Sequence, residues 1–268
     1  MHPVPEAPSL ATVADKVLDR GHVWLFEYVE GGPLRFQLES SGLIRFGDAV
    51  TEPADPDQLP PAFHAAIACV RENLDRDVLN ANLEDDRDVT FVGTATFRKR
   101  IAYDWDRLPA FLGTDVWVGA RDQFLPPDAV ERIYESVGLE PITVIERERH
   151  TRDVTLADVT MPASAWYDGP AAGLFIRNKR GGRAVWKPDE PPPTTPPPSV
   201  TDLMRESPNE RFRRLIEHGH PASVERLADR ALTAWFREVP ALRDADDEMI
   251  ADLRSRLRQR AQRYLGRT

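Results

Sequence analysis

Lysine is scarce in this chain, and that limits the chemistry open to it. Only Lys16, Lys99, Lys179 and Lys187 occur among the 35 basic residues, and the rest are arginine. An amine can attack phosphorus once its pKa is lowered, whereas a guanidinium only holds anions. Cys69 stands alone, which excludes an internal disulfide and a cysteine-based zinc cage. Glu217-His218-Gly219-His220 places two metal-ligand types at one loop. Gly219 reads more simply as a helix cap, with His218 favoured by the helix dipole. Asp85-Asp86-Arg87-Asp88 reads as a solvated acidic turn. Arg98-Lys99-Arg100 and the series Arg254, Arg256, Arg258, Arg260 and Arg263 have the character of phosphate-backbone contacts. For the terminal series, salt bridges between helices are an equally open reading.

The elements that must position these residues fall into two parts. The 268 residues suffice for one large domain, or one domain and an appendage. No apolar run is long enough to cross a membrane, and the first residues lack the basic and apolar regions of a secretory signal. A cytoplasmic setting is the expectation. Seven of the 24 prolines lie in 188–198, which can be neither helix nor inner strand. Residues 188–200 are therefore expected as a linker, its stretch 188–198 a polyproline II spacer of up to roughly 34 Å. Residues 201–268 carry 14 arginines against 12 acids and read as three helices, the first capped by Ser199 or Thr201.

Residues 1–187 read as α+β and rich in strands. Runs at 23–29, 34–38, 43–46, 89–97, 114–118, 142–145, 173–176 and 183–186 are β-branched or aromatic. Helices are expected at 11–19, 61–74 and 127–137. Gly31-Gly32-Pro33 reads as a turn. The alternating charges of 146–153 read as a strand edge facing solvent, or a linker.

Four segments in order resemble one family. They are residues 24–36 (Trp-Leu-Phe-Glu-Tyr-Val-Glu-Gly-Gly-Pro-Leu-Arg-Phe), Phe91-Val92-Gly93-Thr94, Tyr103-Asp104-Trp105 with Phe111-Leu112-Gly113-Thr114-Asp115-Val116-Trp117, and Ala172-Gly173-Leu174-Phe175-Ile176-Arg177 followed by Lys187. Over about residues 20–190 the chain resembles the ATP-dependent RNA ligases of the covalent nucleotidyltransferase superfamily. The resemblance implies antiparallel sheets around a nucleotide cleft, a lysine attacking the α-phosphate of ATP, acids holding ribose and magnesium, and cations holding phosphate.

The chain departs from that pattern where the chemistry sits. Tyr28 takes the place of the nucleophilic lysine, and Thr94 and Ala172 take the places of two acids. Glu30 and Gly31 follow as the retained acid and glycine, and Arg35, Arg177 and Lys187 keep phosphate-binding character. The expectation is a catalytically degenerate fold in which Tyr28, Glu30, Arg35, Thr94, Arg177 and Lys187 line one cleft. Such a protein would bind nucleotide or RNA, or partner an active ligase, with ATP and magnesium implied by the resemblance alone. The helix arginines are the candidates for RNA. The competing expectations are an active ligase with a displaced nucleophile, and a protein-interaction module docking through an apolar stripe on the C-terminal helices.

Overall fold

The computed structural model describes residues 1–83, 88–154, 161–192, 194–205, 208–217, 219 and 222–266. His218, His220 and most of the acidic turn at 85–88 lie outside the described residues. Gly219 has φ of +81° and its N–H donates to Ile216 O at 2.9 Å, as a helix cap does.

Two antiparallel sheets form the larger part. The first runs β7-β1-β8-β9, from β1 (His22–Glu27), β7 (Val144–His150), β8 (Leu174–Asn178) and β9 (Arg183–Trp186). The second runs β3-β2-β4-β5-β6, from β2 (Gly31–Leu38), β3 (Ile44–Gly47), β4 (Val89–Thr96), β5 (Phe111–Val118) and β6 (Gln123–Phe124). The charged stretch expected at a solvent-facing edge is β7, an edge strand whose middle residues Glu146, Arg147 and Glu148 are exposed.

Strand alternation assigns the faces. In β2, Leu34, Phe36 and Leu38 enter the main core under α2 (His64–Asn73), α3 (Arg76–Leu83) and α4 (Pro127–Ser136). Phe36 stacks on Phe91 of β4, with centroids 4.8 Å apart and planes 9° from parallel. In β8, Leu174 and Ile176 pack with Leu10 and Val17 of α1 (Leu10–Val17). The opposite faces of the two sheets, carrying Arg35 and Arg177, border the cleft.

Gly31-Gly32-Pro33 is not a turn. It opens β2, with Gly31 opposite Thr96 and Pro33 opposite Thr94. A Cβ on Gly31 would lie 2.1 Å from Ala95 O, so glycine serves close approach of two backbones there. Pro33 is tolerated because β3 first pairs at Arg35, leaving the proline on a free edge.

Among the described residues the C-terminal part has four α-helices where three were expected: α5 (Val200–Arg205), α6 (Asn209–Glu217), α7 (Val224–Glu238) and α8 (Asp247–Leu265). Pro208 lies between α5 and α6, and proline interrupts a helix by removing a donor. Ser199 and Asp202 form a reciprocal cap at the start of α5, Ser199 N–H donating to Asp202 Oδ2 at 3.0 Å and Asp202 N–H to Ser199 Oγ at 3.1 Å. These helices have their own core, built on Phe212, Leu227, Trp235 and Leu257. They are also docked. The Arg237 guanidinium donates to Thr96 O (3.0 Å), Thr96 Oγ1 (2.7 Å), Leu108 O (2.6 Å), Pro109 O (2.9 Å) and Trp105 O (3.3 Å). Arg243 reaches Arg98 O at 2.7 Å, and Arg230 pairs with Glu72. The proline-rich segment is tied as well, Arg98 donating to Thr195 O.

Candidate active site

The cleft between the sheets holds a cavity of about 120 Å³. Its walls come from Tyr28 and Val29 just after β1, the start of β2, the middle of β4 and β5, and β9 with Lys187. A further wall is the N-terminal segment, Val4 to Ala7. The β4–β5 wall contains a bulge between Val92 and Gly93. The Tyr134 hydroxyl services it, accepting from Val92 N–H at 3.0 Å and lying 2.8 Å from Val92 O and 3.0 Å from Asp115 O, to which it can donate. Burial pushes this phenol well above its ordinary pKa. The bulge changes the register of β5 where Thr114 and Asp115 reach the cleft.

The candidate residues do not all gather there. Tyr28, Gly31, Thr94 and Lys187 line the cavity. Lys187 Nζ sits 4.5 Å from the Tyr28 ring centroid, a cation–π contact across the cleft floor. Burial is the main cause raising the Tyr28 pKa above 10, with Lys99 opposing it.

Glu30 points away. Its Oε2 accepts from Lys99 N–H (3.1 Å), Arg100 N–H (2.7 Å) and Ile101 N–H (2.9 Å), and Arg100 Nε lies 3.3 Å from Oε1. It shapes the loop after β4 and lies outside the cavity wall. Ala172 is buried among Val29, Tyr103 and Leu112.

Arg35 is turned to structure too: it donates to Asp48 O, His2 O (2.7 Å) and Thr51 O (3.0 Å). Arg177 ties one sheet to the other, donating to Thr114 O at 3.0 Å and Leu125 O at 2.9 Å. Both are 1% exposed, so neither expected phosphate ligand presents a free guanidinium.

The arginines of α8 lie apart from the cavity wall. Arg254 pairs with Asp229 at 3.2 Å and Arg256 with Asp252 at 2.9 Å. Arg258 and Arg263 are exposed, and Arg260 is half-buried.

Asp115 and Arg183 were not among the expected site residues. Arg177 Nη2 lies 2.9 Å from Asp115 Oδ1, and Arg183 Nη1 lies 3.7 Å from Oδ2. Oδ1 nevertheless accepts no hydrogen bond among the described residues, because the close Arg177 nitrogen is not aligned for one. Arg183 also packs over the Phe124 ring at 5.0 Å. The signal for Arg183 was its place four residues before Lys187 on the same strand run.

No protein-family model matches this sequence, and no curated protein matches it. Solved structures do. Naegleria gruberi RNA ligase with pyrophosphate superposes with a TM-score of 0.50 at 12% identity, covering 69% of this chain and 56% of that one. A single-residue variant of that ligase with ATP and manganese gives 0.51 at 10% identity, covering 70% and 56%. The fold is that of an RNA-ligase nucleotidyltransferase. At this identity the likeness is one of fold, and this chain spans little more than half the length of those ligases.

ATP and a divalent metal, which the fold implies, fare differently at this cleft. Among the described residues no three His, Cys, Asp or Glu side chains converge on one point. Glu30 is consumed by backbone donors, Asp115 is held between two arginines, and Thr94 and Ala172 carry no carboxylate. The residues present do not fit a metal. Lys187 and Arg183 suit phosphate oxygens, but about 120 Å³ is small beside the roughly 300–1,000 Å³ of ligand pockets. No helix among the described residues is long and apolar enough to cross a membrane.

Proposed function

We propose that this chain is a catalytically degenerate RNA-ligase-like protein that binds a nucleotide or RNA, or partners an active ligase. The observation that carries the reading is Tyr28. The resemblance puts it where the nucleophilic lysine belongs, and it lines the cleft with its pKa raised by burial. A phenol that stays protonated at neutral pH is a poor nucleophile toward phosphorus. The absence of a carboxylate at Thr94 and Ala172 supports the same reading, since the acids left in the cavity wall are Asp115, held between two arginines, and Glu6 of the N-terminal segment.

Binding is supported by Lys187 and Arg183 in the cleft and by the exposed Arg258 and Arg263 of α8. The net charge of −9 works against a polyanion overall, so local basic surface must supply any affinity. Fluorescence anisotropy on single-stranded and nicked duplex RNA tests this. Affinity is expected to fall steeply with salt, and replacing the α8 arginines is expected to flatten that slope equally for all sequences. No binding of RNA or ATP even at about 50 mM salt would leave the protein-partner role alone.

One observation favours a displaced nucleophile: Lys187 is a lysine in the cleft wall. That reading requires covalent labelling of Lys187 by ATP. Docking through the C-terminal helices has less support. Among the described residues their large exposed apolar side chain is Met249, and one residue makes no stripe.

A further inference from the structure

The N-terminal segment crosses from one sheet to the other over the cleft, and it is held at both ends. On the β2–β4 side, His2 N–H donates to Thr90 Oγ1 at 3.1 Å and Val4 N–H to Ala49 O at 2.9 Å. The His2 ring stacks on Trp117, with centroids 3.6 Å apart and planes 10° from parallel. On the other side, Arg183 donates to Pro5 O at 3.1 Å and Val185 N–H to Pro8 O at 2.8 Å. Ser9 bridges Val185 in parallel sense. Val185 belongs to β9, the outer strand of its sheet, so the segment covers an edge that would otherwise be open to pairing.

The sequence of the segment suits this. Residues 2–8 read His-Pro-Val-Pro-Glu-Ala-Pro. Each proline is locked near φ −65°, and each residue before a proline is held extended. Little conformational entropy remains to be lost on binding. Two positions carry side-chain recognition: the His2 ring on Trp117, and Val4, which is 1% exposed within the cleft. Two cations of the cleft face, Arg35 and Arg183, spend donors on carbonyls of this segment, at His2 and Pro5.

The geometry points to a peptide groove: the cleft of this ligase-like fold takes an extended, proline-containing peptide by edge-strand addition to β9, and residues 2–8 of the chain are its resident ligand. The recognition pattern is a ring, a proline, a small apolar residue and a second proline, read by Trp117, the cleft interior and Arg183, with main-chain bonds supplying the rest. This rests on the cleft geometry alone and does not need the protein to bind a nucleotide.

The groove is tested by freeing it in the full chain. Val4→Arg puts a long cation into an enclosed site already holding Arg183 and Lys187, and a chain without residues 2–8 serves as the second variant. The probe is a fluorescent synthetic peptide of residues 2–9. It is expected to bind either freed variant at least about ten-fold more tightly than the unaltered chain, whose tethered segment competes at high effective concentration. Replacing the peptide's histidine by alanine should weaken it. Equal binding to freed and unaltered chains, or to none, overturns the groove. Hydrogen exchange on the unaltered protein gives an independent reading. Val4 and Val185 amides should open together, well before that of Ile176 inside the sheet. Their exchange only on global unfolding would make the segment a permanent part of the core and overturn the inference.

Discussion

Arg237 is nearly sealed from solvent, and burial pulls its pKa down to about 10, so it stays charged at neutral pH. Its hydrogen bonds end on buried backbone carbonyls and one hydroxyl. Arg237→Ala should therefore cost about 3 kcal/mol, read as a lower urea midpoint with an unchanged slope. Arg237→Lys should recover little, because an ammonium cannot reproduce the fork. His2 supplies a pH test. Burial is the main cause lowering its pKa below 6.5; Arg183 and Arg35 add to the fall, and Asp122 and Asp88 oppose it. The folded form takes up a proton less readily than the unfolded one, so its contribution is complete above about pH 6.5 and is lost as pH falls through the lowered value. Exchange at the Val4 amide, corrected for intrinsic rate, should rise in that window. At this scale residue type was legible and residue duty was not. The resemblance put Arg35 and Arg177 in the cleft, but whether a guanidinium there meets a ligand or its own backbone depends on segments remote in sequence, such as His2 for Arg35 and Thr114 and Leu125 for Arg177.

Gly31 decides the pairing of β2 with β4. Gly31→Ala should cost about 1–3 kcal/mol, since its Cβ would lie 2.1 Å from a backbone oxygen that cannot swing aside. Thermal denaturation checks this, and an unchanged midpoint would mean the strands separate there freely. Most strands were legible because β-branched and aromatic runs with period two need no tertiary context. The Gly-Gly-Pro stretch misled because its composition fits a turn, and only the approach of another strand shows why glycine is needed. The helix Arg76–Leu83 went unread, although Asp75 is its signal: its Oδ1 accepts from Asp77 N–H at 3.1 Å and Val78 N–H at 3.0 Å. The single first helix expected from its Ser199 or Thr201 cap to the Gly219 cap ignored Pro208.

The cores of the two sheets draw no residue from beyond Trp186, among the described residues. We therefore propose the division into residues 1–187, 188–200 and 201–268 as one of folding units, with docking between the first and last. A chain ending at Asp189 should still fold cooperatively, but melt roughly 6–12 °C lower once the Arg237 bonds are gone. Loss of a cooperative transition would mean that the helices complete the first unit. The central claim concerns chemistry: the ligase-like cleft is kept without covalent catalysis. Incubation of the pure protein with α-labelled ATP and either magnesium or manganese, followed by denaturing electrophoresis, tests it most directly. No label should remain on the protein. Label that survives denaturation would contradict the claim, and acid would identify its seat, since a P–N bond to Lys187 is cleaved while a phosphodiester to Tyr28 persists.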